Sequence, residues 1–178
     1  MTTRLQSQPS EPVRSVDRVD LDRYAGDWFE IERFPNRFQR DCTGDVSATY
    51  RRRADGRLDV INRCRTAGGG IKEAQAVARV VDPATSAKLK VRFAPGVLSF
   101  LPFVWGDYWI IGLAEDYSWA VVGSPDREYL WILARGAALD AGRSALAMAA
   151  ARANGFDVER LVKTHHTGRP RPDSEAPR

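Results

Sequence analysis

The sequence predicts an all-β fold: an eight-stranded antiparallel up-and-down β-barrel with a C-terminal α-helix packed outside. Three observations carry this expectation. Between Gly26 and Arg135, short alternating runs are separated by turn residues at intervals of about ten. No crossover helix interrupts those runs, which favours antiparallel pairing between neighbours in sequence. Helical periodicity enters only afterwards, from Leu139 to Ala153, in a segment rich in Ala and Leu that stops at Asn154-Gly155. Closing the strands into a barrel removes the sheet edges and leaves room for one small ligand. A two-sheet sandwich has the same strand count and stands as the structural rival.

The strands follow in order. The first runs from Trp28 to Arg33 and leads into a longer loop through Pro35-Asn36 to Thr43-Gly44. Val46 to Arg52 and Leu58 to Arg65 flank Ala54-Asp55-Gly56, and Asp-Gly is a strong hairpin signal. Gly68-Gly69-Gly70 opens a fourth strand, Lys72 to Val81, which stops at Asp82-Pro83. Lys88 to Phe93 is the fifth, followed by the loop Pro95 to Gly106. Tyr108 to Leu113, Ser118 to Gly123 and Tyr129 to Arg135 complete the set.

The chain has 178 residues, 43% of them hydrophobic and 28% charged, which suits one globular domain over 19–167. Residues 1–18 and 168–178 are rich in Pro, Ser and charge and read as disordered tails. The net charge of +4 raises a nucleic-acid reading. However, Lys88-Leu89-Lys90-Val91-Arg92-Phe93 alternates its cations with apolar residues, which places them on a solvated strand face, so no nucleic-acid partner is expected. No run of about 18 apolar residues exists to span a membrane as a helix.

The alternation also speaks to a cavity. Ala74, Ala76, Ala78 and Val80 share one face of the fourth strand, and Leu89, Val91 and Phe93 share one face of the fifth. Successive alanines on an inward face leave volume that larger side chains would fill, unless Trp131 and Phe93 occupy it. The eighth strand is apolar on both faces: Tyr129, Trp131 and Leu133 on one, Leu130, Ile132 and Ala134 on the other. It therefore needs cover outside, for which the C-terminal helix is the available segment.

Gly26-Asp27-Trp28 at the first strand is similar to the Gly-x-Trp signature of the lipocalin family. Asp116-Tyr117, between the sixth and seventh strands, resembles its Thr-Asp-Tyr motif with Glu115 in place of Thr, and Arg135 matches the third signature. An up-and-down barrel brings all three to one end, where the family's Trp closes the floor and its Arg packs across it in a cation–π contact. The stretches Tyr24 to Pro35, Leu58 to Asn62, Pro125 to Arg135 and Gly155-Phe156-Asp157-Val158 resemble, more closely, the bacterial outer-membrane lipocalins related to apolipoprotein D. The resemblance covers roughly Val19 to Leu161. It implies a carrier of a fatty acid or lysophospholipid in the periplasm or at the outer membrane. The N-terminus shows no secretory apolar core and no lipid-attachment cysteine, which leaves a cytoplasmic location open.

Cys42 and Cys64, the only cysteines, both fall at the open end on neighbouring strands, so a disulfide fits; two buried free thiols are the alternative. Neither has a nearby histidine, and no metal site or cofactor is expected. The loop from Ala94 to Trp105 is unusually apolar: Val97, Leu98, Phe100, Phe103 and Trp105 read as a ligand portal, a membrane-surface contact or a homodimer contact, against the alternative of an inward plug. Parity and height give Ala76, Ala78, Val91, Phe93, Tyr108, Ile110, Tyr129 and Trp131 as the ligand-binding wall. Glu30 and Glu32 share the parity of Trp28 and read as inward structural ion pairs. Arg40 or Arg127, near the mouth, are candidates to meet a lipid carboxylate or phosphate.

No catalytic residue is assigned. The sequence has no Gly-x-Ser-x-Gly elbow, phosphate-cradling glycine loop or metal-ligand spacing. Two other functions compete with the carrier: an interaction module that uses the apolar loop 94–105, and an enzyme that uses Cys42 or Cys64 as a thiolate nucleophile.

Overall fold

The computed structural model describes residues 11–93 and 105–168. Eight strands close into an antiparallel barrel: β1 (Gly26–Arg33), β2 (Cys42–Arg52), β3 (Leu58–Thr66), β4 (Ile71–Val80), β5 (Lys88–Phe93), β6 (Gly106–Leu113), β7 (Trp119–Gly123) and β8 (Leu130–Ala134). Each pairs with its sequence neighbour, and β1 closes the ring against both β2 and β8. A two-residue strand, β9 (Val162–Lys163), adds to β1 where its pairing with β8 shifts at a bulge between Glu30 and Glu32. The barrel, not the sandwich, is therefore the architecture.

Alternation decides which side chains face in. In β1, Trp28, Glu30 and Glu32 are buried while Phe29, Ile31 and Arg33 are only partly so. In β5, Leu89 is buried between Lys88 and Lys90, which sit on the outer face. The inward residues build one core cluster around Trp28, Tyr24, Leu58, Leu89, Ile110 and Val122. A second cluster lies outside the wall, around Phe34, Ile111, Val121, Leu130, Ile132 and Phe156.

The outer cluster is where the helix expectation needs correcting. Helix α1 (Leu21–Tyr24) precedes β1, and α2 (Ala141–Ala153) begins two residues later than the periodicity suggests, because the Asp140 carboxylate accepts from the Arg143 N–H as an N-cap. α2 rests on β6 and β7 rather than on β8. Gly112 permits this seat, since a Cβ there would lie 2.8 Å from the Ala150 methyl. The outer residues of β8, Leu130 and Ile132, instead join a cluster with Phe34, Phe156 and Val158 from the flanking segments.

Part of the segment expected as a tail also packs on the barrel. Val13 is 5% exposed in the outer cluster, Val16 donates its N–H to the Ile110 carbonyl at 2.9 Å, and Val19 is buried. Three apolar residues spaced by three are enough to anchor a segment that composition alone reads as polar.

At the other end, residues 164–167 are fastened by Asp45. Its carboxylate accepts from the Thr167 N–H at 2.6 Å, from the Thr167 hydroxyl at 2.8 Å and from Arg65 Nε at 2.8 Å. Partial burial works against its charge, but these donors win and hold the Asp45 carboxyl down at about 2.

Candidate functional site

The barrel has a closed end and an open one. At the closed end Trp28 is fully buried, and its Nε1 donates to the Tyr24 carbonyl at 2.8 Å. The Arg135 guanidinium lies 3.9 Å from the Trp28 ring centroid. Its nitrogens donate to the carbonyls of Ala25 at 3.0 Å, Asp27 at 2.9 Å, Arg23 at 2.6 Å and Tyr117 at 3.3 Å. Tyr117 returns the tie, since its hydroxyl accepts from the Asp20 N–H at 2.9 Å. Asp116 turns the chain by accepting from the Ser118 N–H, and Gly26 takes a positive φ of +95° at the start of β1, where a Cβ would lie 3.3 Å from an Arg135 nitrogen. Trp28, Tyr117 and Arg135 thus meet at this end, with Gly26 and Asp116 exposed in the segments beside them.

Above the inner core a cavity of about 440 Å³ opens toward the mouth. That volume is in the ordinary range for a small-ligand site, roughly 300–1,000 Å³. Its wall includes Val91, Phe93, Tyr108, Tyr129 and Trp131, five of the eight residues expected there. Ala76, Ala78 and Ile110 do not reach it; they are 5%, 1% and 0% exposed in the core around it. Their parity is right, but their height or size is not. Ala76 pairs with Val60 and Phe93, and Ala78 with Leu58 and Val91, whose longer side chains overtop the alanine methyls. Ile110 sits two residues nearer the floor than Tyr108.

Sequence reasoning missed the part of the wall that comes from a loop. Residues Arg37–Gln39 form a single 3-10 turn after β1, capped by the Asn36 side chain, and bring Phe38 and Gln39 over the cavity. Phe38 lies 5.6 Å from the Tyr129 ring and 6.3 Å from Phe93, and Tyr129 stacks on Trp131 at 5.8 Å. Gln39 is held on three sides: its Oε1 accepts from Trp131 Nε1 at 3.0 Å and Asn36 Nδ2 at 2.7 Å, and its Nε2 donates to Glu30 at 2.5 Å. An aromatic residue in an otherwise polar loop at the open end was the available signal.

Glu30 is inward and paired, as its parity suggests: Arg33 Nε lies 3.5 Å away, and the Thr164 hydroxyl donates to it at 2.5 Å. Burial is the larger influence and raises its pKa above the ordinary carboxylate range, with Thr164, Gln39 and Arg33 pulling the other way. Glu32 is also buried and raised for the same reason, opposed by Lys163. A raised acid binds its proton more tightly in the folded state, so its contribution to stability is present at low pH and lost as pH climbs through the folded-state value. Glu30→Gln is therefore expected to gain on the wild type as pH rises from 4 to 7, read as the difference in urea midpoints. A difference that does not change with pH would show that Glu30 is not the responsible group.

Around the mouth the rim carries both signs. Lys72 pairs with Asp41 at 2.9 Å and Arg63 with Glu73 at 2.9 Å, while Asp126 accepts from the Ser124 hydroxyl and the Glu128 N–H. Of the two arginines expected there, Arg127 is spent elsewhere. Its guanidinium donates to the Asn154 carbonyl at 2.8 Å and to the Glu11 carbonyl. Arg40 is exposed and lies outside the cavity wall. Trp105 is in the wall, with its ring 4.6 Å from the Arg79 guanidinium and 5.2 Å from that of Arg92. Val97, Leu98, Phe100 and Phe103 lie outside the described residues.

Cys42 and Cys64 are joined, with Cα atoms 5.6 Å apart, and both touch the cavity. The bond ties the start of β2, and so the loop carrying Phe38, to β3. It also removes the thiolate on which a cysteine-dependent enzyme would rest. For a cross-link spanning 22 residues, loop-closure entropy gives about 3 kcal/mol of stabilisation. Cys42→Ser with Cys64→Ser should lower the unfolding free energy by roughly that amount. Chemical denaturation checks it, and a loss well under 1 kcal/mol would contradict it.

A barrel with one sealed end and an apolar cavity at the other defines a β-barrel protein of the small-ligand-binding class. Residues 19–166 match the family model described as a lipocalin-like domain, and the chain belongs to the lipocalin family, whose members bind small hydrophobic ligands. It is similar to temperature-induced lipocalin-1 of Arabidopsis thaliana, 38% identical over 165 residues that cover 91% of this chain and 87% of the relative. It is equally similar to the outer membrane lipoprotein Blc of Escherichia coli, at 38% identity over 91% of this chain and 89% of that one. Among solved structures, insecticyanin from the tobacco hornworm Manduca sexta superposes with a TM-score of 0.71 over 88% of this chain and 85% of its own, at 18% identity.

Proposed function

We propose that this protein binds and carries a fatty acid or lysophospholipid, with the acyl chain in the barrel cavity and the polar head at the mouth. The observation that carries the reading is the cavity itself. A sealed floor, a wall of aromatic and aliphatic side chains and a rim bearing charges of both signs suit a long apolar chain with a polar end. Burying such a chain is worth about 0.8 kcal/mol per CH₂, so about ten buried methylenes match the roughly 8 kcal/mol of micromolar binding. The rim presents both signs to a head group: Arg63, paired with Glu73, and Lys72, paired with Asp41, on the cationic side, and Asp126 and Glu128 on the acidic side.

The protein is a carrier rather than an enzyme on this reading. Its similarity to an outer membrane lipoprotein supports a place in the bacterial envelope, in the periplasm or against the outer membrane. No helix among the described residues is long and apolar enough to cross a membrane.

Displacement of a fluorescent fatty acid from the delipidated protein tests the ligand class. Unlabelled fatty acid or lysophospholipid should displace it stoichiometrically, and Trp131→Ala should weaken binding by about tenfold, as expected for losing part of a desolvated aromatic wall. Failure of both lipids to displace the probe would overturn the assignment.

A further inference from the structure

Three tyrosine hydroxyls meet inside the barrel between the cavity and the Trp28 floor. Tyr108 is central: its oxygen lies 2.7 Å from the Tyr24 oxygen and 2.8 Å from the Tyr50 oxygen. They come from different elements, α1, β2 and β6: the Tyr24 ring meets Tyr50 edge-on and Trp28 at a tilt, and the Tyr50 ring is tilted against Tyr108. Burial raises all three pKa values, that of Tyr50 to about 12, so the phenols stay neutral.

The hydrogens can be counted. Three hydroxyls carry three donors, and two contacts between them use two. One hydrogen is left over in every arrangement. If Tyr24 and Tyr50 both donate to Tyr108, the spare is on Tyr108. If Tyr108 donates to Tyr50, the spare remains on Tyr50, and if it donates to Tyr24, on Tyr24. Tyr50 and Tyr108 both line the cavity; Tyr24 does not, and at 1% exposure a spare donor there has no solvent to meet. A donor stranded in that position is desolvated with no acceptor, which favours the two arrangements that offer it to the cavity.

We infer that the inner end of the cavity is a hydrogen-bonding subsite, built by Tyr50 and Tyr108, for a neutral oxygen on the buried end of an apolar ligand. The inference rests on the carrier reading and sharpens it: the preferred ligand bears a hydroxyl or ketone at the end that enters first, in addition to a polar head at the mouth. A carboxylate is a poor occupant. The cation at this end, Arg135, lies against Trp28 with its nitrogens donating to backbone carbonyls, so a buried carboxylate would lack a counter-charge. A plain methyl terminus leaves the spare hydroxyl hydrogen unpaired and dry. A hydroxyl or carbonyl oxygen accepts it.

The test is a chain-length series of saturated fatty acids and the matching ω-hydroxy acids, competed against a fluorescent fatty acid on wild-type protein and on Tyr50→Phe/Tyr108→Phe. At the length that reaches the trio, the ω-hydroxy acid should bind about tenfold better relative to its parent in the wild type than in the double variant, about 1.4 kcal/mol. An isomer hydroxylated at mid-chain should show no such gain. Equal ratios in the two proteins would overturn the subsite while leaving the carrier reading intact. If the double variant does not fold, the wild type alone decides: no length at which the ω-hydroxy acid outcompetes its mid-chain isomer overturns the subsite. If no fatty acid of any length binds the wild type, the carrier reading falls and the subsite with it.

Discussion

Trp28→Ala is expected to lower the unfolding free energy by about 3–5 kcal/mol, the usual cost of truncating a buried large aromatic. The side chain is fully buried at the point where α1, β1 and Arg135 converge. Three losses coincide. The cavity left behind is lined by core residues already held by the closed sheet, so it collapses only partly. The Tyr24 carbonyl loses the Nε1 donor, although Arg135 still reaches it at 3.2 Å. Arg135 loses the ring face against which its guanidinium is desolvated. For a domain of this size the melting point should fall by roughly 2–4 °C for each kcal/mol. Trp28→Phe keeps a ring under Arg135 and should lose much less. Thermal and urea unfolding measure both, and an alanine variant within 1 kcal/mol of wild type would show that the floor is not the keystone described here.

Ala74→Trp is expected to cut affinity for a fluorescent fatty acid by about a hundredfold, equivalent to about 2.7 kcal/mol. Ala74 lies on the inward face of β4 with its methyl in the cavity wall. An indole placed there projects into empty volume instead of into packed core, so it competes with the ligand more than with the fold. Circular dichroism and unfolding should stay near wild type while the titration collapses. Unchanged affinity with an intact fold would place the ligand outside the barrel, for example against the outer face of β5, where Lys88 and Trp109 lie together. The contrast separates the two variants: Trp28 acts on stability, Ala74 on binding.

Much of the barrel was legible because strands obey a strict period of two. Lys88 to Phe93 could be read residue by residue, inward and outward, and the structure agrees with that reading throughout. The floor was legible through the resemblance of Trp28, Asp116-Tyr117 and Arg135 to the lipocalin motifs, and counting strands up and down placed all of them at one end. Cys42 and Cys64 met by the same count.

What escaped depended on three-dimensional height and on loops. Parity places Ala76 on the correct face but cannot say that Val60 and Phe93, its partners across the sheet, stand taller than its methyl. Phe38 and Gln39 belong to a single turn of 3-10 helix with no period to detect, yet they complete the mouth through Trp131, Glu30 and Tyr129. The seat of α2 turned on Gly112, whose missing side chain admits Ala150 onto β6, and nothing in the helix's own pattern favoured β6 over β8.

On the proposed carrier function, an apolar chain occupies the space between the Trp28 floor and the Phe38 mouth. The most direct measurement is nuclear magnetic resonance of the protein saturated with an isotopically labelled fatty acid, reading through-space contacts from the chain to side chains. Contacts are expected from the methylenes to Ala74, Val91 and Trp131, with the carboxylate end near the residues of the rim. A saturated complex whose contacts fall only on outer-face residues such as Trp109, with none inside the barrel, would contradict it.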